Sequence, residues 1–251
     1  MAVEGKTIDA LSQFELAPAL GPIGASVNFT QSNLFMLIAA GLILALMHYG
    51  MRPAAVVPGR FQALAETFHE FARNLVVEQV GPEGRRFFPF VFTLFMFILF
   101  GNMLGLLPFA FTFTSHIAVT FTLAMIVFVL ITVVAISLHG KKFLGYFFPE
   151  GAPIWLAPII IPVEIVSYLS RPVSLSIRLF ANMVAGHVML KVFATFIVLL
   201  GGLGAVGPFI AVLPLAVNVA LVGFEVLVAF LQAYVFAILT CIYLHDAVHL
   251  H

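Results

Sequence analysis

An arginine and a few acid, imidazole and amide side chains lie inside the two longest apolar stretches of the chain, and these residues could do chemistry. Arg178 is the most unfavourable of them to place in a membrane, because apolar sequence extends on both sides of it. A guanidinium stays protonated at physiological pH, so at membrane depth it must face a counter-charge, water or a charged group that moves past it. The alternative is a purely structural ion pair between two helices.

Glu225 and His187 are the second candidate, as an acid and an imidazole that could pass a proton between them. Glu225 has no basic neighbour in the sequence, and a carboxyl in hydrocarbon must stay protonated or find a polar partner. His187, on the preceding apolar stretch, is the available partner. Both groups can change charge near neutral pH once the acid is buried, which is the composition of a proton relay. Each residue taken singly is equally compatible with a structural role.

Further polar residues recur at helical spacing in the same two stretches. Glu164, Arg171 and Arg178 are seven residues apart, close to two helical turns, so they fall near one stripe of a helix. Asn182 follows one turn after Arg178. In the second stretch, Gln232 is seven residues beyond the glutamate of the acid and imidazole pair. A hairpin of the two stretches could set one polar stripe against the other.

The polar residues nearer the ends of these stretches have simpler interpretations. Arg171 and Lys191 lie close to the predicted membrane surfaces, so we expect their charged ends to reach the headgroup region. Four polar residues crowd the C-terminus: His245, Asp246, His249 and His251. A metal site there is conceivable, but we expect a solvated tail.

The composition indicates that most of the chain lies in a lipid bilayer, and it excludes several classes of protein. Of the 251 residues, 63% are apolar and 9% are charged, against roughly 25% charged in a soluble domain. The chain is therefore a polytopic membrane protein. Its zero net charge gives no case for binding nucleic acid. We find no phosphate-binding glycine loop, zinc-protease motif or nucleophile elbow, so we expect no catalytic site of its own, no metal and no cofactor.

Hydropathy predicts an all-α protein with about five membrane helices and one amphipathic helix on the surface. Residues 1–30 form a polar N-terminal segment, and 31–251 form a single membrane domain. The amphipathic helix is predicted over 54–80, where apolar residues recur every three or four positions among charged ones. The membrane helices are predicted over 30–50, 87–107, 116–138, 155–200 and 209–244.

The last two apolar stretches are too long to cross a bilayer upright. As helices they would measure roughly 65 and 55 Å, against a hydrocarbon core of about 30 Å. Either each folds back on itself or both lie steeply tilted as a hairpin closed by the glycine-rich turn after Leu200. We prefer the hairpin, because no glycine or charge cluster interrupts either stretch in its middle.

The basic residues predict the orientation in the membrane. They concentrate in two loops, between the first and second spans and after the third: Arg52, Arg60, Arg73, Arg85, Arg86, Lys141 and Lys142. Positively charged loops stay on the cytoplasmic side, which puts the N-terminus in the periplasm and the C-terminus in the cytoplasm.

Three segments of the chain resemble the signature of the subunit a family of F-type ATP synthases. They are Ser174-Leu-Ser-Ile-Arg-Leu-Phe-Ala-Asn-Met-Val-Ala-Gly-His187, Leu231-Gln-Ala-Tyr-Val-Phe-Ala-Ile-Leu-Thr-Cys-Ile-Tyr-Leu244 and Phe100-Gly-Asn-Met-Leu-Gly-Leu-Leu-Pro108. The resemblance implies a proton-conducting stator subunit in a bacterial inner membrane, with a ring of c subunits and b-type stalk subunits as partners. It also implies two offset half-channels against the rotating ring and a steeply tilted final pair of helices.

The resemblance also implies a role for each candidate residue. Arg178 would separate the half-channels and drive deprotonation of the rotor carboxylate, with Gln232 close to it. His187 and Glu225 would form the interacting pair of the entry half-channel, with Asn182 as its asparagine. Two further positions match polar sites toward the cytoplasmic exit: Glu164 and Ser174.

Two other classes of function remain open at the level of the sequence. A secondary transporter or channel could use Arg178 to bind an anionic substrate, but it predicts internal symmetry that we do not find. A purely structural membrane scaffold would not need Glu225 and His187 inside apolar stretches.

Overall fold

Six α-helices form the part of the chain that the structure describes. This computed structural model describes residues 29–52, 57–107, 110–140, 143, 145 and 154–249, so the predicted periplasmic segment 1–30 lies almost wholly outside it. The helices are α1 Gln31–Gly50, α2 Arg60–Val80, α3 Phe88–Gly105, α4 Ile117–His139, α5 Ala157–Gly201 and α6 Gly207–Val248. All except α2 are long and apolar enough to cross a membrane, which confirms the predicted class.

Helix α2 is the amphipathic element, and it begins at Arg60 rather than at 54. Pro58 and Gly59 precede it, and Gly59 has an extended backbone that does not continue into a helix. Its buried face includes small side chains that allow close packing: Ala65, Ala72, Leu75, Val76 and Val80. The helix ends at Gly81, whose φ of 88° favours glycine.

The core lies around α3, which packs against α6, α1 and α2. Its fully buried residues include Val91, Phe95, Met96 and Ile98. Helix α6 packs against α3 through small buried residues. The Asn102 amide of α3 donates a hydrogen bond to the Ala229 carbonyl oxygen of α6 at 3.3 Å. Helices pack closely in membranes where small residues line the contact.

Helices α5 and α6 form the predicted hairpin. With 45 and 42 residues, they measure about 68 and 63 Å at 1.5 Å per residue. Each is one continuous helix that includes its internal prolines, so the alternative in which each stretch folds back is wrong. The length requires a steep tilt in a hydrocarbon core of about 30 Å. The turn contains Gly204 with a φ of 75°.

One side of the hairpin has no covering element from the described part of the chain. Large apolar side chains on this side are exposed, among them Ile177, Phe224, Leu227 and Leu231. A membrane protein exposes such side chains to lipid or to another subunit. Most of the polar residues of interest lie on α5 and α6, beside or beneath this apolar surface.

Candidate functional site

The acid and imidazole singled out in the sequence are neighbours across the hairpin. Glu225 on α6 is buried, with 4% of its side chain exposed, and its Oε1 lies 3.8 Å from Nε2 of His187 on α5. The same ring nitrogen lies 2.9 Å from Oγ1 of Thr112, in the segment between α3 and α4. His187 is therefore held between an acid and a hydroxyl from two different elements.

Gly186 provides the space that Glu225 occupies. A Cβ atom at this position would lie 2.5 Å from Glu225 Oε1 and 2.8 Å from its Cδ, closer than real contacts allow. Neither carboxyl oxygen has a hydrogen-bond partner among the described residues. A buried polar group without a hydrogen bond is unfavourable, and such groups occur where function requires them.

A groove of about 290 Å³ brings several predicted residues together beside this pair. Its polar lining consists of Asn182 from α5 and of Glu225 and Gln232 from α6, and Gly186 lies between them. The other residues that line the groove are apolar and include Leu221 and Val228. An amide, a carboxyl and a second amide thus share one cavity, as expected for a path that guides a proton or water.

Arg178 lies one turn from Asn182 on α5 and is exposed at the surface of the chain. No carboxylate of the described residues lies within 4.0 Å of its guanidinium, since the ion pairs found involve Arg171 and His187. The structural ion pair considered for Arg178 is therefore absent from the described part of the chain. In a membrane, this charge requires water or a counter-charge from outside these residues.

Glu164 and Ser174 lie on the opposite side of Arg178 from His187. Glu164 is partly exposed and Ser174 is exposed, and neither lines the groove. At 1.5 Å per residue, His187 lies about 14 Å from Arg178 along the α5 axis, and Glu164 about 21 Å in the other direction. The arginine thus separates two polar regions of one helix.

Arg171 contacts an acid and two aromatic rings of the chain, and the expectation that its charged end reaches the headgroup region stays a prediction. Its guanidinium lies 3.5 Å from the Asp246 carboxylate and 4.9 Å from the centre of the Tyr243 ring, both on α6. The Tyr168 ring on α5 is also close, at 5.4 Å. The acid and the two aromatic faces satisfy the cation within the chain.

The end of α6 packs against α4, so the expected solvated tail is wrong for 245–248, whereas His249 is exposed and His251 lies outside the described residues. Helix α6 continues to Val248, beyond the predicted end at 244, and Ala247 and Val248 are buried. The His139 ring lies 3.1 Å from the Ala247 carbonyl oxygen through its Nε2. Among the described residues, no group of three metal-binding side chains occurs here or elsewhere.

Sequence reasoning did not single out Thr112 or Gly186. The available signal for Thr112 was the spacing of Gly101 and Gly105 in the motif before it, because small residues four apart form a helix face that accepts a close neighbour. The available signal for Gly186 was its position directly before His187. Both residues contribute through contacts that only the packed helices create.

Comparison with known proteins agrees with these observations. Residues 33–245 match the family model described as ATP synthase A chain. The chain is 65% identical to ATP synthase subunit a of Granulibacter bethesdensis, with all of both chains covered. It is 62% identical to that of Gluconacetobacter diazotrophicus, over 97% of this chain and 98% of the relative. It is 48% identical to that of Rhodospirillum rubrum, over 96% and 98%. The chain therefore belongs to the ATP synthase A chain family.

Proposed function

We propose that this chain forms two offset proton half-channels against a rotating ring of c subunits, and that Arg178 separates them. Family membership makes the chain a membrane subunit of a proton-translocating F-type ATP synthase, on the stator side.

One observation carries the proposal: Arg178 is an exposed cation without an ion pair in the described part of the chain, between two polar regions. On one side lies the pair of His187 and Glu225, and on the other lie Glu164 and Ser174. A charge in this position is unfavourable unless a partner of opposite charge comes to it. A carboxylate on a neighbouring rotor subunit fits that requirement.

Electrostatics explains how such an arginine would drive deprotonation. A rotor carboxyl arriving from lipid is neutral, because an isolated charge in hydrocarbon is very unfavourable. Opposite Arg178 the ionised form is stabilised, so the proton leaves into a half-channel. The fixed positive charge also opposes the direct passage of a proton from one half-channel to the other. Each elementary charge crossing 100 mV contributes about 2.3 kcal/mol to the rotation.

The groove beside Glu225 and His187 supports the entry half-channel. The groove contains the Glu225 carboxyl group, which lies next to the His187 imidazole. The Asn182 and Gln232 amides also line it, and Asn182 lies one helical turn from Arg178. The exit half-channel would contain Glu164 and Ser174 on the other side of the arginine. Thr112, which contacts His187, belongs to the connection that the positive loops assign to the periplasmic side.

The proposed setting is a bacterial inner membrane with the N-terminus in the periplasm and the C-terminus in the cytoplasm. The relatives compared above are bacterial proteins, and the charge distribution supports this orientation. The proposed partners are the c-subunit ring, which would cover the apolar side of the hairpin, and b-type stalk subunits.

Replacement of Arg178 tests the proposal. In membranes that contain the assembled complex, Arg178→Ala should abolish ATP-driven proton pumping, because nothing then stabilises the ionised rotor carboxylate. Arg178→Lys keeps the charge and loses the planar guanidinium, so it separates charge from geometry. Pumping by the alanine variant at the normal rate per assembled complex would refute the role of Arg178.

A further inference from the structure

We propose that Thr112 is a positioning residue for proton transfer: its hydroxyl accepts the Nε2 hydrogen of His187 and holds the imidazole beside Glu225. This inference rests on the proposed function, in which His187 and Glu225 conduct the proton. It assigns a role to Thr112, which lies between α3 and α4 and outside the three sequence motifs.

The direction of the hydrogen bonds follows from the Gly105 carbonyl. Gly105 is the last residue of α3, and carbonyls in the last turn of a helix lack partners within it. The Thr112 hydroxyl donates to this carbonyl oxygen at 3.3 Å. A hydroxyl has only one hydrogen, so both contacts are hydrogen bonds at the same time only when the ring donates the 2.9 Å contact. The network therefore favours the tautomer with hydrogen on Nε2.

This tautomer puts the hydrogen on the ring nitrogen that is also near the acid. Nε2 of His187 lies 2.9 Å from Thr112 Oγ1 and 3.8 Å from Glu225 Oε1, so the acid is just beyond hydrogen-bond distance. Transfer to the acid requires this hydrogen to turn from the hydroxyl to the carboxylate, which lies farther from the same nitrogen. Thr112 thus keeps the donor beside its acceptor.

One proton transfer balances with these groups, and the half-channel must deliver the proton and later return the ring to its Nε2 tautomer. A proton that arrives at Nδ1 of neutral His187 gives the imidazolium, and Nε2 then passes its hydrogen to the ionised Glu225 carboxylate. The carboxyl becomes neutral, and the ring is left neutral with its hydrogen on Nδ1. The Thr112 hydroxyl can then turn from Gly105 and donate to Nε2. Flow in the other direction uses the same positions in reverse order.

Two glycines of α3 fix Thr112 in place. A Cβ atom at Gly105 would overlap the Thr112 side chain, and one at Gly101 would overlap the Phe113 ring, so the segment fits directly onto the helix. The Ser115 hydroxyl also donates to the Thr112 carbonyl oxygen at 2.6 Å. Thr112 is buried, with 6% of its surface exposed. A side chain held in this way can orient the imidazole that it touches.

The test compares three variants in the assembled complex, each measured as passive proton flow per complex in membranes after removal of the catalytic sector. Thr112→Val removes the hydroxyl at nearly constant shape and should slow flow roughly fivefold, the size set by one hydrogen bond. Thr112→Ser keeps the hydroxyl and should restore most of it. Thr114→Val is the matched control, because this buried threonine of the same turn has a hydroxyl without a partner among the described residues.

A double-mutant cycle with His187→Ala separates this inference from the proposed function. If Thr112 acts through the imidazole, Thr112→Val should slow flow no further once His187 is replaced. Equal losses in both backgrounds, or equal losses in the Thr112 and Thr114 variants, would overturn the positioning role. If His187→Ala itself leaves flow unchanged, the proposed proton path fails. If His187→Ala slows flow and Thr112→Val does not, only the present inference fails.

Discussion

At the scale of single residues, one missing side chain determines where the buried acid can lie. Gly186 lets the Glu225 carboxyl group occupy the position that a Cβ atom would otherwise take. That position is next to His187 and inside the groove. The glycine therefore matters for the position of the carboxyl group rather than for its own backbone conformation.

We predict that Gly186→Ala slows proton flow without preventing assembly. The new Cβ would lie 2.5 Å from Glu225 Oε1, so the carboxyl end must rotate away from its place beside His187. An off-rotamer side chain costs about 1 kcal/mol, which corresponds to a roughly fivefold loss of rate. The measurement is ATP-driven proton pumping in membranes, normalised to the amount of assembled complex.

The matched control for this prediction is Gly223→Ala. Gly223 lies on the facing helix α6, two residues before Glu225, and a Cβ there meets no atom within 4 Å. It should leave proton pumping unchanged. Equal pumping by both alanine variants would contradict the importance of the space at Gly186.

At the scale of elements, contacts at the two ends of the hairpin hold α5 against α6. The turn end is closed by Gly207, where a Cβ atom would overlap the Leu200 carbonyl oxygen. The open end is joined by the ion pair between Arg171 and Asp246 and by the tyrosine rings beside the guanidinium. Without such a clamp, the last turns of a long helix would fray.

We predict that Asp246→Ala increases local opening at the end of α6. The two side chains are 22% and 36% exposed, so solvent screens the pair and its contribution is about 1 kcal/mol or less. Hydrogen exchange of the amides in 244–248, followed by mass spectrometry of the purified complex, should become up to about fivefold faster.

The partner variant and the double variant show whether the pair is the cause. Arg171→Ala should have a similar or larger effect, because it also removes the contacts with Tyr168 and Tyr243. Adding Asp246→Ala to Arg171→Ala should then change the exchange little. Unchanged exchange in both single variants would show that the pair does not hold the helix end.

At the scale of the whole molecule, the helices separate two groups of polar contacts. Thr112, which contacts His187, lies in the α3 to α4 connection. The pair joins Arg171, 14 residues after the start of α5 at Ala157, to Asp246 at the end of α6, which packs close to where α4 ends at His139. The proposed orientation puts the first group toward the periplasm and the second toward the cytoplasm.

We predict that cysteines on the two sides react from opposite faces of the membrane. In a Cys241→Ser background, Glu83→Cys in the α2 to α3 connection should react with a membrane-impermeant thiol reagent only in inverted vesicles. Leu203→Cys in the hairpin turn should react only in spheroplasts. Both positions are exposed, and the native Cys241 is buried. The reverse pattern would contradict the proposed orientation.

Hydropathy and charge alone were sufficient to predict much of the fold, because they reflect the free energy of transferring each segment into lipid. A run of apolar residues favours transfer into lipid wherever it occurs, so the five membrane helices and the length of the last two followed from the sequence. The local backbone was harder to predict. Gly59 is extended and α2 begins only at Arg60, a detail that the apolar spacing of this helix does not contain.

The tertiary structure decided which side chains contact one another, because these contacts join elements that are distant in sequence. The sequence singled out Arg178, and it suggested His187 as the partner of Glu225. It could not reveal that Thr112 contacts the same imidazole, since that contact requires its segment to fold onto the glycine face of α3. It also did not reveal the acid beside Arg171, which lies 75 residues later on a helix that packing brings beside it. Spacing along one helix specifies a face, whereas the packing of several helices determines what that face meets.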